Sequence, residues 1–251
     1  MANTSFIIQC KQIVKDLIHE IFIPIDYANA VKKLKQTEVE YTKKYGSKFN
    51  VPFQYKGKRH FSTIAPSQVM KEITNLFELV KSENPKTVLE IGTDKGGTLY
   101  LWCQAAADDA TIVSIDLSSR LRYSTKRREL YAKFVKSASQ KLHFLPFSSH
   151  EQSTVEKASA LFGGKKIDYL FIDGDHTYEG VKQDYEMFSP LVKEGGLIAF
   201  HDIKTVRPDC GVREIWEEVT KSMNKADYWE YAENDYGPLG AGIGVIRKTL
   251  Y

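Results

Sequence analysis

Long apolar runs are missing from this sequence of 251 residues. No stretch approaches the roughly 18 consecutive apolar residues that a membrane-spanning helix needs, so no membrane partner is expected. Cysteine is scarce. Cys10, Cys103 and Cys210 stand far apart without a CxxC pair, which argues against a disulfide framework or a zinc cluster and fits a reducing cytoplasm. An excess of one charge is lacking too: 35 Lys+Arg against 32 Asp+Glu leave +3 with histidine neutral. That balance is too mild to argue for nucleic acid. Met1–Cys10 lacks a basic segment followed by an apolar one, so no signal peptide is expected. Low-complexity tracts and internal repeats are absent. What is present is an ordinary hydrophobic fraction, 42%, and a length suited to one α/β domain with a helical extension, or at most two small domains.

Residues 1–45 carry a helical period through Ile13, Leu17, Ile21, Val31 and Leu34, broken at Pro24. They are expected to form an accessory helical layer, packed on the main domain or on a second subunit. Residues 46–65, with Gly46, Pro52 and Gly57, resemble a turn-rich linker, and a helix is expected over Ser67–Lys81. From Thr87 the pattern changes. Short apolar strands are expected at Thr87–Ile91, Thr111–Ile115, Leu142–Pro146, Ile167–Ile172, Gly196–Phe200, Tyr228–Ala232 and Gly242–Ile246. Helical segments separate the first six. This alternation predicts βαβ units, a mostly parallel sheet and right-handed crossovers. The last two strands have only Glu233–Ala241 between them, too short for a helical crossover, so they should pair antiparallel. Ligands of such a sheet bind at the carboxyl ends of its strands, beside the topological switch point.

The first strand runs into Glu90-Ile-Gly92-Thr-Asp94-Lys-Gly96-Gly97-Thr98, a glycine turn that opens a helix. Its spacing is not GxGxxG. Asp94 stands where a dinucleotide fold places its second glycine, and a carboxylate there repels a diphosphate. Nor is there a GxxxxGK[ST] phosphate loop. A cationic ligand fits better, with Glu90 and Asp94 near a sulfonium or an α-amino group. Asp116 ends the second strand, 24 residues after Gly92, where an acidic residue can accept both ribose hydroxyls of a nucleoside.

A second polar group sits at the ends of the fourth and fifth strands: Asp173-Gly-Asp175-His176-Thr-Tyr178 and His201-Asp202. Neighbouring parallel strands bring these ends together. Asp173 and Asp202, with Asp175 or His201, suit one cation. Mg2+ prefers oxygen ligands, while a histidine among carboxylates is tolerable for Mn2+, Fe2+ or Zn2+. Such an ion can hold a substrate hydroxyl and lower its pKa. His176, with an ordinary pKa near 6.5, is the natural general base.

The glycine turn, Asp116, Phe171–Asp184, Leu191–Asp202 and Gly211–Trp216 together resemble the class I S-adenosylmethionine-dependent methyltransferases. Within them the chain is similar to the group of macrocin-type sugar O-methyltransferases and cephalosporin hydroxylase-like proteins. The resemblance covers roughly residues 65–248. Two parts are expected: an N-terminal helical extension and linker, 1–64, which the resemblance does not reach, and a cofactor-binding domain, 65–251. The domain would be a Rossmann-like, seven-stranded, mostly parallel sheet with an antiparallel C-terminal hairpin and helices on both faces. Glu90, Gly92 and Gly96 would border the methionine part of S-adenosylmethionine, Asp116 its ribose, and Ser148 and Ser149 its adenine. Metal-dependent members carry an Asp at the place of Asp173, an acidic or amide pair after the fifth strand, and a Lys or His base at the place of His176. This chain departs at His201, where an acidic residue is the better Mg2+ ligand.

The implied activity is methylation of a small-molecule hydroxyl, a sugar or natural product, by a homo-oligomer (dimer or larger), with metal set Asp173, His201 and Asp202. Other readings attach to other features. The basic residues between 120 and 136, interleaved with Tyr123, Tyr131 and Phe134, suit an RNA substrate or a solvated helix face. A nicotinamide-dependent oxidoreductase is opposed by Asp94 and the missing GxGxxG. A non-catalytic binding protein has no need of a base beside a cation site.

Overall fold

The computed structural model describes residues 25–32, 55–56, 63–64, 66–117, 124–232 and 241–249. Helix α1 covers 25–32, directly after Pro24. Within the stretch expected to be a linker, β1 (Tyr55–Lys56) pairs antiparallel with β2 (Thr63–Ile64). The remaining helical expectation over 1–45 lies outside the described residues.

The main sheet is built from β3 (Thr87–Ile91), β4 (Thr111–Ile115), β5 (Lys141–Leu145), β6 (Ile167–Ile172), β7 (Val192–His201), β8 (Tyr228–Tyr231) and β9 (Ile243–Arg247). Their order is β5-β4-β3-β6-β7-β9-β8. The first five are parallel, and β9 is antiparallel to both β7 and β8. The chain leaves β3 for β4 on one side and later returns to place β6 on the other, so the switch point lies between β3 and β6. Every residue of β3 is buried, as expected of a strand covered on both faces.

The covering helices are α2 (Met70–Glu83), α3 (Gly97–Ala105), α4 (Ser124–Tyr131), α5 (Gln152–Leu161), α6 (Tyr178–Phe188) and α7 (Val212–Thr220). One apolar core lies between the sheet and α2 and α3. There Trp102 meets Tyr169 and Phe171, with ring centroids 5.0 and 5.1 Å away. The other core lies under α5, α6 and α7, around Phe188, Phe200 and Trp216. Helix α6 begins where Thr177 accepts a hydrogen bond from Gly180 N–H, a side-chain cap that fixes the chain just beyond His176. Strand β7 starts four residues earlier than expected because Val192 resumes pairing opposite Ile167, across a register shift. Among the described residues no helix is long and apolar enough to cross a membrane.

Candidate functional site

The carboxyl ends of β3, β4, β6 and β7 open into a cavity of about 570 Å3. The glycine turn forms one wall. Gly92 has φ 91° and Gly96 φ 79°. A Cβ on Gly92 would overlap the carbonyl oxygen of Asp173, so the two strand ends approach as closely as they do only because residue 92 is glycine. Asp94, at φ 41°, lines the cavity with its side chain about half exposed.

Asp116 shapes this turn. Its Oδ2 accepts from Thr93 N–H (3.1 Å) and Asp94 N–H (2.9 Å), and its Oδ1 from Leu117 N–H (2.7 Å). A carboxylate offers about four acceptor positions, so lone pairs remain toward the cavity, which Asp116 also lines. Ser148 and Ser149 follow β5 on the same wall, between the half-exposed Phe147 and His150. His150 Nε2 lies 3.2 Å from Asp184 Oδ1 beneath them, and burial pushes the Asp184 carboxyl up to about 6.

Glu90 is placed behind the turn rather than at its mouth. It has no exposed surface; its Oε1 accepts from the Thr98 hydroxyl (2.6 Å) and its Oε2 from the Ser114 hydroxyl (2.7 Å). Burial raises its pKa from 4.5 to about 8, so it is mostly uncharged at neutral pH. A carboxyl whose pKa is higher folded than unfolded favours folding most below the unfolded value and loses that contribution as pH rises through the folded one. Glu90→Gln is therefore expected to lose less thermal stability than the parent between about pH 5 and pH 9. Melting curves across that range check it, and parallel curves would remove the ionisable role.

The opposite wall carries the second polar group. Asp173 Oδ1 faces His201 Nδ1 at 2.9 Å and His176 Nε2 at 3.1 Å. His176 Nδ1 faces Asp202 Oδ2 at 3.1 Å, and His201 Nε2 lies 3.6 Å from Asp202 Oδ1. Asp202 stands at φ 68°, a left-handed conformation that Asp tolerates better than most residues. Burial alone would raise the Asp173 carboxyl, but the two imidazoles outweigh it and hold the carboxyl below its ordinary range. Burial likewise opposes charge on His201, and Asp173 and Asp202 outweigh it in the other direction. Hydrogen bonds to Asp173 and Asp202 raise His176 from 6.5 to about 10. The ordinary pKa that recommends His176 as a base does not hold in the free protein: its ring is an imidazolium shared by two carboxylates.

Asp175 turns away from this group. Its Oδ1 accepts from Thr177 N–H at 2.9 Å, a cap-like turn at the start of α6. Among the described residues, two trios of possible ligands bring their donor atoms within 4.8 Å of one another: Asp173–His176–His201 and His176–Asp202–Cys210. The expected trio of Asp173, His201 and Asp202 is not one of them; His176 stands between its members.

Two contributors carry no local sequence signal. Gln68, just before α2, is buried and donates from Nε2 to Asp173 Oδ2 at 2.6 Å, while its Oε1 has no hydrogen-bond partner. Cys210 is buried beside His176, and burial pushes its thiol up. In the basic segment, Tyr131 and Phe134 are buried and pack against each other, so neither offers a face for stacking a base. Lys136 pairs with Asp108 at 3.2 Å. Tyr123, and the loop 234–240 considered as a cavity wall, lie outside the described residues.

Residues 89–203 match the family described as a methyltransferase domain. They run from within β3 to just beyond β7, and so contain both polar walls. An uncharacterised protein of Acanthamoeba polyphaga mimivirus is 27% identical over 182 residues, covering 72% of this chain and 79% of that protein. A Dictyostelium discoideum protein named "Probable caffeoyl-CoA O-methyltransferase 2" is 23% identical over 174 residues, covering 68% and 72%. Among solved structures, the O-methyltransferase TomG of Streptomyces achromogenes in complex with SAM is similar at TM-score 0.53 and 16% identity, covering 70% of this chain and 78% of that one. The Bacillus cereus O-methyltransferase in complex with SAH gives 0.52 and 16%, covering 73% and 84%. The sheet has the Rossmann-like methyltransferase fold.

Proposed function

We propose that this chain is an S-adenosylmethionine-dependent O-methyltransferase acting on a small-molecule hydroxyl. The observation that carries this reading is the juxtaposition, across one cavity, of a nucleoside-type wall (Gly92, Asp94, Asp116, Ser148) and a proton-handling wall (Asp173, His176, His201). The family match and the SAM- and SAH-bound neighbours support the cofactor. The resemblance of its motifs to those of macrocin-type enzymes favours a sugar or natural-product hydroxyl.

In this reading the free lone pairs of Asp116 accept the ribose hydroxyls. Leu117 and Phe147, both markedly exposed apolar side chains of the cavity, flank the adenine, with Ser148 and Ser149 at its edge. Asp94 and the backbone at Gly92 and Gly96 face the methionine end. Glu90 supports this wall from behind through Thr98 and Ser114. The acceptor oxygen lies between the sulfonium and His176. The sulfonium already activates the methyl group, so the protein needs only to align the oxygen with it and take its proton.

Asp173, His201 and Asp202 do not converge as a ligand set for a divalent ion, because His176 stands between them, and the proposed reaction uses no metal. Cytoplasmic location and a homo-oligomer (dimer or larger), without membrane or nucleic-acid partner, complete the proposal and rest on the sequence.

Calorimetric titration with S-adenosylhomocysteine, with Mg2+ and with EDTA, tests the reading. One saturable site is expected, with no comparable binding of NADH. Binding of NADH without S-adenosylhomocysteine would overturn it in favour of an oxidoreductase, and unequal titrations in Mg2+ and EDTA would assign the metal a role in cofactor binding.

A further inference from the structure

We propose that His176, Asp202 and Cys210 form a cation site for a thiophilic divalent ion of the zinc class. The three donor atoms lie within 4.8 Å of one another. His176 Nδ1 and Asp202 Oδ2 are already 3.1 Å apart. Ligand atoms around a tetrahedral zinc, with bonds of roughly 2.0–2.3 Å, stand on the order of 3.3–3.8 Å from one another. A side-chain adjustment of Cys210 completes three corners of such a site, on the side of His176 that faces Asp202.

The backbone is arranged to bring the thiol there. Gly211 N–H donates to the His176 carbonyl at 2.8 Å, and Cys210 N–H donates to the Arg207 carbonyl at 3.1 Å. A Cβ on Gly211 would come within 2.6 Å of the backbone of Tyr178, so only glycine lets this turn lie so close to the residues after His176. Arg207, the nearest strong cation in the turn, is engaged by Asp209 through two hydrogen bonds (3.1 and 2.7 Å). Imidazole, carboxylate and thiolate together suit Zn2+ or Cd2+, whereas Mg2+ takes oxygen ligands and gains nothing from sulfur. An ion here occupies His176 Nδ1, so it would block proton transfer by that ring. This consequence rests on the proposed function; the binding does not.

Cadmium is the probe, read by the ultraviolet charge-transfer band of a cadmium–thiolate bond. The full chain carrying Cys10→Ser is titrated, and Cys103, which is sealed in the core, serves as an internal control. One equivalent should bind with the band, unmoved by excess Mg2+. Cys210→Ser should abolish the band, with Cys210→Ala as the second variant if the first does not fold. Asp202→Asn and His176→Gln should each weaken binding by more than the ~10–100-fold that loss of an outer-shell partner costs. A band that survives Cys210→Ser, or that keeps its affinity in both other variants, would overturn the site. Because the band is independent of turnover, a chain that binds cadmium as described but transfers no methyl group would refute the proposed function and leave this inference standing.

Discussion

His176→Ala is expected to lower kcat for methyl transfer by about 10²–10⁴-fold, the range associated with a positioned general base. Affinity for S-adenosylhomocysteine should stay close to the parent value, because the nucleoside-type wall stands on other strand ends. The pH profile carries the sharper test. In the free protein the ring keeps its proton to about pH 10, and only the deprotonated ring can accept another. The parent rate should therefore rise with pH across the interval above the ordinary histidine value of 6.5. A bound sulfonium adds positive charge near Asp173 and draws the midpoint down from 10. In His176→Ala that limb should vanish. A variant with normal turnover, or one that keeps the same limb, would remove His176 from proton transfer. The stability linkage has a definite sign as well. A histidine raised on folding favours the folded state most fully below its unfolded value near 6.5 and loses that contribution as pH climbs through about 10.

Gly92→Ala is expected to destabilise the domain by roughly 3 kcal/mol, combining overpacking with a left-handed backbone that alanine resists. The added methyl would occupy the position of the Asp173 carbonyl oxygen. Relief requires the ends of β3 and β6 to separate, which breaks the hydrogen bond from Asp173 N–H to the Ile91 carbonyl (2.9 Å). Cofactor binding and catalysis should fall together, unlike the His176 variant, because this one contact sets the spacing of both walls. Denaturant unfolding and calorimetry on the same sample check it. A stable Gly92→Ala protein with normal S-adenosylhomocysteine binding would show that the approach is not needed.

The strands were legible because β3, β4 and β6 are short apolar runs that end in glycine or aspartate, and burial on both faces makes such runs continuous. The early start of β7 was not legible, since Lys193, Glu194 and Gly195 interrupt the apolar run that begins the expected strand at Gly196. Helix α2 begins later than its period suggests because Gln68 is drawn to Asp173, 105 residues away. No local pattern announces a contact of that span. The same reason hides Cys210 and the His150–Asp184 pair. Asp173, His176, His201 and Asp202 were legible as strand-end residues. The charge on His176 was not, because it depends on two carboxylates approaching one ring from different strands. The placement of Glu90 was missed for a related reason: a carboxylate beside a glycine turn looks like a ligand group until Thr98 and Ser114 are seen to consume both oxygens.

Strand β9 fits between β7 and β8, although β8 precedes it in the chain. During synthesis, β7 must therefore wait with its outer edge unpaired until residues 243–247 emerge, and β8 has no partner before then. That exposed edge bears Leu197 to His201, an apolar stretch prone to pairing with other chains. His201 itself is opposite Ile243, and Gly242 N–H reaches back to Glu72 of α2 at 3.1 Å. Helix α2 and the entry to strand β9 are thus joined at the edge where the sheet closes. The histidine-bearing wall is fixed only once β9 has paired with β7, so a nascent protein stalled before residue 243 would hold its glycine turn without the opposite wall of the cavity completed.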